Sequence, residues 1–554
     1  MIEKLSKTFF QRPALIIGLL ALVSLISLFT NLGKKSFWEP DEGRYAEISR
    51  EMVESGDWLT PRQNYIKHFD KPPVTYWLIG SAFKLFGENE FAGHLPLVTL
   101  ALAGVLAVFF LGKRLFGVRA GFLSAVVLIT SLGYPAIARI LSTDIILTFA
   151  VLYCYLFFVQ KRYLLFYLFI ALGMMIKGPI IFILTLLPIF AFVMYEKGTL
   201  NFKELRLGQG AAIMVLLGLP WYIYEIFLNK SLLKDWLIQQ SLHRITNRGE
   251  EPFYFFIPVL LALFSPWIFF LWPALQKTLS FKRRAFSENP VKALFLFFWF
   301  ILPFLFFGCI GKKLVPYILP LLPPLAIITG YMWDKVLANP ALLKTKPFSL
   351  SFYFLAGCKV IIAAGVIVFL TLGLAHKFDI LATRIDMVFL SAILLISANL
   401  EILFFKLNKP AKLFASIAVS SLLFFLTAVD VLPKIEATTG RSIKNLAQKI
   451  KEDLKPEDKV VNYRCYLKSL PFYLKQRTIV IERQRNIAYE ESVEQWQDYL
   501  LKDKEDLYNL LSSKEVRIYC LTYTWEFEKI LKEYPAPLYP LGKSGKYVLF
   551  TNKK

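Results

Sequence analysis

Long apolar blocks separated by short charged links fill the chain from residue 13 to residue 431. Most blocks run about 17 to 23 residues, the length a helix needs to cross a hydrocarbon layer of about 30 Å. They lie near 13–31, 91–111, 121–137, 145–159, 164–176, 179–195, 209–228, 253–275, 291–309, 315–332, 352–374, 386–405 and 413–431, with the two beside Lys177 the shortest. The pattern predicts a polytopic α-helical membrane protein with about 13 transmembrane helices. The opening basic head lacks a small-x-small cleavage site before its long apolar run, so the first block reads as a retained helix.

Two polar stretches break the pattern: a loop at 33–90 and a tail from 433 to 554. With the N-terminus inside, the inner links carry about twice as many Lys and Arg as the opposite short links beyond the first loop. The positive-inside rule favours that orientation and places both polar stretches on the outer face, the periplasm in a bacterium. The tail mixes helix-like stretches (441–454, 490–511, 523–533) with β-rich runs (Lys459–Tyr463, Thr478–Glu482, Val516–Leu521, Lys546–Phe550). The chain therefore divides into a membrane domain, 1–432, and a soluble α/β periplasmic domain, 433–554.

Composition sharpens this reading. At 56% hydrophobic residues, 51 Phe and a mean hydropathy of +0.50, the chain has more apolar surface than a soluble fold of this length can bury. Its net charge of +23 is dispersed over the links and accompanies no nucleic-acid motif, so anionic membrane lipid, not nucleic acid, is the expected partner. Five cysteines show no metal-ligand spacing. Cys465 and Cys520 both fall in the tail, where an oxidising compartment would permit a disulfide. No Walker or dinucleotide loop, HExxH or nucleophile elbow is present, so nothing indicates nucleotide-driven chemistry.

The first loop is unusually polar for a region between membrane spans and holds Glu39, Asp41, Glu42, Arg44, Tyr45, His68, Asp70 and Lys71. In DEGRYAEISREMVE (41–54), Tyr45, Ile48, Met52 and Val53 have the spacing of a short helix lying on the membrane surface, with Asp41 and Tyr45 on one face. Asp41 and Glu42 have a plain explanation as first-turn carboxylates favoured by the helix dipole. Lys71, fixed by Pro72 and Pro73 ahead of Tyr76 and Trp77, is either a snorkelling anchor or a ligand for a lipid phosphate.

Five words stand in order along the chain: PDEGRYAEI (40–48), FDKPP (69–73), ARILSTD (138–144), IKGP (176–179) and KKLVPYILPLLPPLA (312–326). In this combination the chain resembles, over roughly residues 10–330, the aminoarabinose transferases and their protein mannosyltransferase-like relatives. The resemblance implies a GT-C membrane fold in which a polyprenyl phosphate sugar enters from the lipid. The sugar, 4-amino-4-deoxy-L-arabinose or galacturonate, would pass to lipid A or lipopolysaccharide on the periplasmic face of a bacterial inner membrane.

Carried over by position, Asp41 and Asp144 match the two important carboxylates, and Lys71, Tyr45 and Arg244 the donor-phosphate ligands. Tyr317 matches a lid tyrosine, with Glu42 and His68 as further substrate contacts. Around Arg244 the chain has Ser241 and Ile245 in place of the usual pattern, so Arg248 is an alternative register and a metal site using the nearby histidine is in doubt. Asp70 stands where many relatives carry Glu and would be the ligand of any divalent metal ion; no other cofactor is implied. The same motifs leave open a protein O-glycosyltransferase. A lipid-linked sugar flippase, with Lys177 lining its path, is a further reading, but no inverted repeat accompanies it.

Overall fold

The computed structural model describes residues 10–196, 204–230, 232–235, 251–278, 290–372, 383–436, 438–482 and 498–553. The apolar blocks fold as helices because hydrocarbon offers backbone amides no other partner. Among the described residues, six helices are long and apolar enough to cross a membrane: Glu90–Phe116, Val291–Cys309, Val315–Ala338, Lys346–Thr371, Arg384–Lys406 and Pro410–Ile435. Two bent pairs raise that number to eight if each is one span. Blocks expected as single helices are thus interrupted. The 209–228 block bends by 44° where Pro220 follows Gly218 and Leu219, and the 253–275 block turns by 107° around Pro266. Proline removes a backbone donor and clashes with the preceding turn, so both breaks fall where an interior bond would be lost.

The last three long helices share a polar knot inside their apolar bundle. Lys359 Nζ lies 2.5 Å from Glu401 Oε1, 2.9 Å from Ser420 Oγ and 3.2 Å from Ser397 Oγ. Each of these four side chains would be costly to bury alone, and together they fix the register of the three helices.

The C-terminal segment forms one six-stranded sheet in the order Leu500–Leu501, Ile479–Ile481, Lys459–Tyr463, Ile518–Tyr523, Tyr547–Thr551 and Tyr539–Ser544. The first four strands run parallel and the last two antiparallel. Helices Lys444–Asp453 and Thr524–Glu533 form where the periodicity placed them. The stretch expected as a helix over 490–511 does not form one throughout: Leu500–Leu501 is an edge strand and the helix is confined to Lys504–Leu511, while 483–497 lie outside the described residues. Tyr539–Ser544 escaped prediction because Pro540 and Gly542 weaken its strand pattern; it tolerates them as an edge strand with a register shift between the two. Cys465 and Cys520 are buried thiols not bonded to each other.

The first loop contains the helix Asp41–Ser55, a short hairpin (Arg62–Gln63 with Ile66–Lys67) and the helix Val74–Phe86. The helix Asp41–Ser55 is not the surface helix its spacing predicts. Every position from Glu42 to Met52 except Arg44 is buried, because the helix packs against Val74–Phe86 and is also covered by Leu470–Leu474 of the C-terminal unit. Its polar residues survive burial by pairing: Arg50 meets Glu47 at 2.7 Å and Glu54 at 2.9 Å.

The cover is tightly fitted. Glu39 accepts the Lys468 and Ser469 amides at 2.9 and 2.8 Å and the Ser469 hydroxyl at 2.5 Å. Asn64 exchanges two hydrogen bonds with the Thr478 backbone at 2.8 and 2.9 Å. Phe472 packs between Phe37 and Phe83, with ring centroids 5.0 and 5.7 Å away. At Gly43 the approach leaves no room for a side chain, since a Cβ there would stand 2.5 Å from the Ser469 amide nitrogen. Gly43→Ala is expected to destabilise the folded protein by about 1–3 kcal/mol by forcing these backbones apart. Thermal unfolding in detergent checks this, and a melting temperature equal to the wild type's would refute the contact.

Candidate active site

Four helix boundaries place the candidate side chains. Asp41 opens the loop helix, and Arg44 and Tyr45 follow within its first turns. Lys71 immediately precedes the two prolines that start the helix Val74–Phe86. Asp144 sits in the first turn of Thr143–Val159, whose N-cap Ser142 accepts the Asp144 amide at 3.3 Å. Gly178, with φ of +77°, ends the helix Tyr163–Lys177 and leaves Lys177 at its last position, where the dipole favours a cation.

These boundaries bring two charge clusters together. In the first, Arg44 bridges Asp41 at 2.9 Å and Asp70 at 3.1 Å, and Asp70 in turn meets Lys71 at 2.9 Å. In the second, Lys177 Nζ lies 2.5 Å from Asp144 Oδ1 and 4.6 Å from the centre of the Tyr317 ring. Tyr45 joins them: its ring packs against Tyr76 at 5.7 Å and under the Arg44 guanidinium at 5.2 Å. Its phenol is within electrostatic reach of Asp70, Asp144 and Asp41.

The electrostatics follow from burial. Burial pushes the Tyr45 phenol well above its ordinary value and the three carboxylates add to that against the opposing Arg44 charge, so it stays a hydrogen-bond donor. Burial and the Arg44 charge push His68 down to about 3, leaving it neutral. Its buried Nε2 has no hydrogen-bond partner among the described residues. Lys468, contributed by the C-terminal unit, is pushed down to about 8 by burial and by Arg44. Asp41 differs from its neighbours in being open: its side chain is 60% exposed, against 16% for Asp70 and 10% for Asp144.

Glu42 points elsewhere. Only 2% exposed, it ion-pairs with Lys35, accepts the Trp38 and Leu141 amides at 2.9 Å each, and meets His94 Nε2 at 3.0 Å. With every oxygen engaged it is a structural hub, not the substrate contact the sequence led us to expect. Asp70 likewise does not fit a divalent ion, which would have to displace both Arg44 and Lys71. No group of three His, Cys, Asp or Glu side chains able to hold a metal converges among the described residues. Arg244, its alternative Arg248 and the nearby histidine lie outside those residues.

Comparison with known proteins bears on this arrangement. The family described as dolichyl-phosphate-mannose-protein mannosyltransferase matches residues 70–224, which carry Lys71, Asp144 and Lys177. An uncharacterised Aquifex aeolicus protein is 28% identical over 480 residues, covering 85% of this chain and 88% of its own. The undecaprenyl phosphate-alpha-4-amino-4-deoxy-L-arabinose arabinosyl transferase of Erwinia tasmaniensis is 32% identical over 319 residues, 54% of this chain and 56% of that protein. The match thus spans little more than half of such transferases. The crystal structure of ArnT from Cupriavidus metallidurans bound to undecaprenyl phosphate superimposes with a TM-score of 0.83 at 22% identity, over 97% of this chain and 98% of that one. The chain shares the fold of that structure and, over part of its length, resembles the named arabinosyl transferases and the mannosyltransferase family.

Within that shared fold, two features of the site are not legible in the sequence. Arg44, three residues after Asp41, holds the first cluster together; its position between two carboxylates becomes visible only when Asp70 folds back onto the helix. Lys177 was noted for its depth in an apolar region, but its pairing with Asp144, 33 residues earlier, needs the antiparallel packing of two helices.

Proposed function

We propose that this protein is an integral-membrane glycosyltransferase moving a sugar from a polyprenyl phosphate donor to lipid A or lipopolysaccharide on the periplasmic face of a bacterial inner membrane. The observation that carries this reading is the paired cluster of Arg44, Lys71, Asp41 and Asp70, joined through Tyr45 to Asp144, Lys177 and Tyr317. It stands on a fold shared with a protein captured with undecaprenyl phosphate. Thirteen crossings follow if each bent pair is one span and the five shorter apolar helices other than Val74–Phe86 also span, with the 33–90 loop and the 433–554 domain outside.

Departure of a lipid phosphate builds negative charge in a poorly hydrated site, where fixed cations stabilise it most. Lys71 and the Tyr45 hydroxyl hold that phosphate, joined by Arg244. The acceptor oxygen then attacks the anomeric carbon as the carbon–phosphate-oxygen bond breaks. Asp41, the open carboxylate, takes the proton of a hydroxyl acceptor; a phosphate acceptor is already ionised, and Asp41 then orients it or stabilises the cationic sugar. A 4-amino sugar would find its counter-charge in Asp41 or Asp144, and a uronic acid in the lysines and arginine.

Purified protein is expected to transfer labelled sugar from a polyprenyl phosphate donor to lipid A, and Lys71→Ala to weaken polyprenyl phosphate binding about 10- to 100-fold through loss of charge-assisted hydrogen bonds. A wild type that transfers nothing, yet carries the donor across liposome membranes, would overturn the enzyme reading in favour of a flippase.

A further inference from the structure

A cavity of about 430 Å³ opens between the first loop and the C-terminal unit, in the size range of ligand pockets, roughly 300–1,000 Å³. Three of its lining residues are cations, Arg441, Lys468 and Lys546, and their side chains make no ion pair with any carboxylate among the described residues. Glu39, which also faces the cavity, is already saturated by the Lys468 and Ser469 amides and the Ser469 hydroxyl. The cavity is therefore electropositive.

Three more of its lining residues are tyrosines, Tyr466, Tyr523 and Tyr547. Tyr523 stacks between Trp525 at 4.4 Å and Tyr547 at 5.4 Å, and Lys546 lies 5.3 Å from each tyrosine ring. Tyrosines beside cations that have no carboxylate partner are the chemistry that holds a saccharide carrying phosphate: phenol hydroxyls and ring edges meet the sugar and the cations meet the charge. Lys71, which we assign to the donor phosphate, does not line it. Lys468 does, and is also within electrostatic reach of Arg44, Asp41 and Asp70, so the cavity borders the reaction cluster.

A second cavity of about 360 Å³, mainly apolar, lies next along the chain; Trp38 lines it, while Glu39 and Pro40 line the polar one. Its walls include Leu132, Phe425 and Val429 from membrane helices and their connections. A polar, cationic chamber beside an apolar one matches an amphiphile with a charged sugar head and an acyl chain.

We propose that the polar cavity between the first loop and the C-terminal unit binds the phosphorylated saccharide head of the acceptor lipid, making the C-terminal unit the acceptor-recognition element. This rests on the transferase reading above. Arg441 and Lys546 are exposed and outside the reaction cluster, so changing them tests the cavity alone.

The test is transfer by full-length Arg441→Glu and Lys546→Glu in detergent, measured against lipid A concentration at saturating donor, with polyprenyl phosphate binding measured in parallel. Each reversal is expected to raise the acceptor KM about tenfold or more, the effect of losing one charge-assisted contact, while donor binding stays at the wild-type value. Lys546→Arg keeps the charge and should restore the acceptor KM. An active wild type whose acceptor KM is indifferent to both reversals overturns this assignment alone. Parallel losses of donor and acceptor affinity overturn it too, by marking the effect as structural. A wild type that transfers to no acceptor removes the transferase reading and this assignment together.

Discussion

Replacing Asp41 with Asn lowers sugar transfer by about 10²- to 10⁴-fold, the range associated with a positioned acid–base group, while donor binding is retained. The retention is expected because Lys71 and Tyr45 keep their places: Asp70 still holds Arg44 at 3.1 Å and Lys71 at 2.9 Å when the Asp41 arm is neutralised. Asp41 is chosen over Asp70 and Asp144 because all three meet a cation but its carboxylate is the open one, while the other two are largely covered. Single-turnover transfer and polyprenyl phosphate binding, measured on the same preparation, separate the two effects. Transfer within about twofold of wild type would remove Asp41 from the reaction. With a hydroxyl acceptor the loss should be smallest at high pH, where the acceptor needs less help in giving up its proton; with a phosphate acceptor it should not vary with pH.

Glu42→Ala should instead unfold the site. It strands Lys35 as a buried charge and leaves the Trp38 and Leu141 amides and His94 without their acceptor, a change expected to cost about 3–5 kcal/mol. The same hub carries a pH signature. Burial opposes the charge on Glu42, but Lys35 and His94 outweigh it and hold the carboxyl down to about 2, below its ordinary value of 4.5. A carboxyl whose folded value is depressed lends stability above its unfolded value, and that stability is lost as pH falls from about 4.5 toward 2. Lys35 returns part of the gain, since its own burial disfavours its charge. Thermal unfolding of wild type and Glu42→Gln between pH 7 and pH 3 checks this: the gap between them should narrow at the acid end. A gap independent of pH would mean Glu42 is not ionised in the folded protein.

Much of this arrangement could be read from the chain. Apolar block length predicted helices at every block the structure describes, and the density of charge in the first loop pointed to the segment that holds Asp41, Tyr45, Asp70 and Lys71. What could not be read depends on partners distant in sequence. Glu42 looks like a first-turn carboxylate until Lys35, His94 and Leu141 converge on it. The loop helix looks amphipathic until residues 466–478 cover its polar side, and Arg50 gives no sign of burial because its carboxylates lie on the same helix. The breaks at Pro220 and Pro266 were legible in principle, but in an apolar run a proline can be absorbed as a kink, so its position alone does not give the angle.

The hydrogen bonds from Lys468 and Ser469 to Glu39 join residues about 430 positions apart. During synthesis the first loop would reach its side of the membrane long before the segment that seats it has been made. If the domain order is as proposed, the nascent chain carries the first loop's reactive side chains before the residues that seat Glu39 have been made. Chains truncated before residue 468 lack both amides that Glu39 accepts.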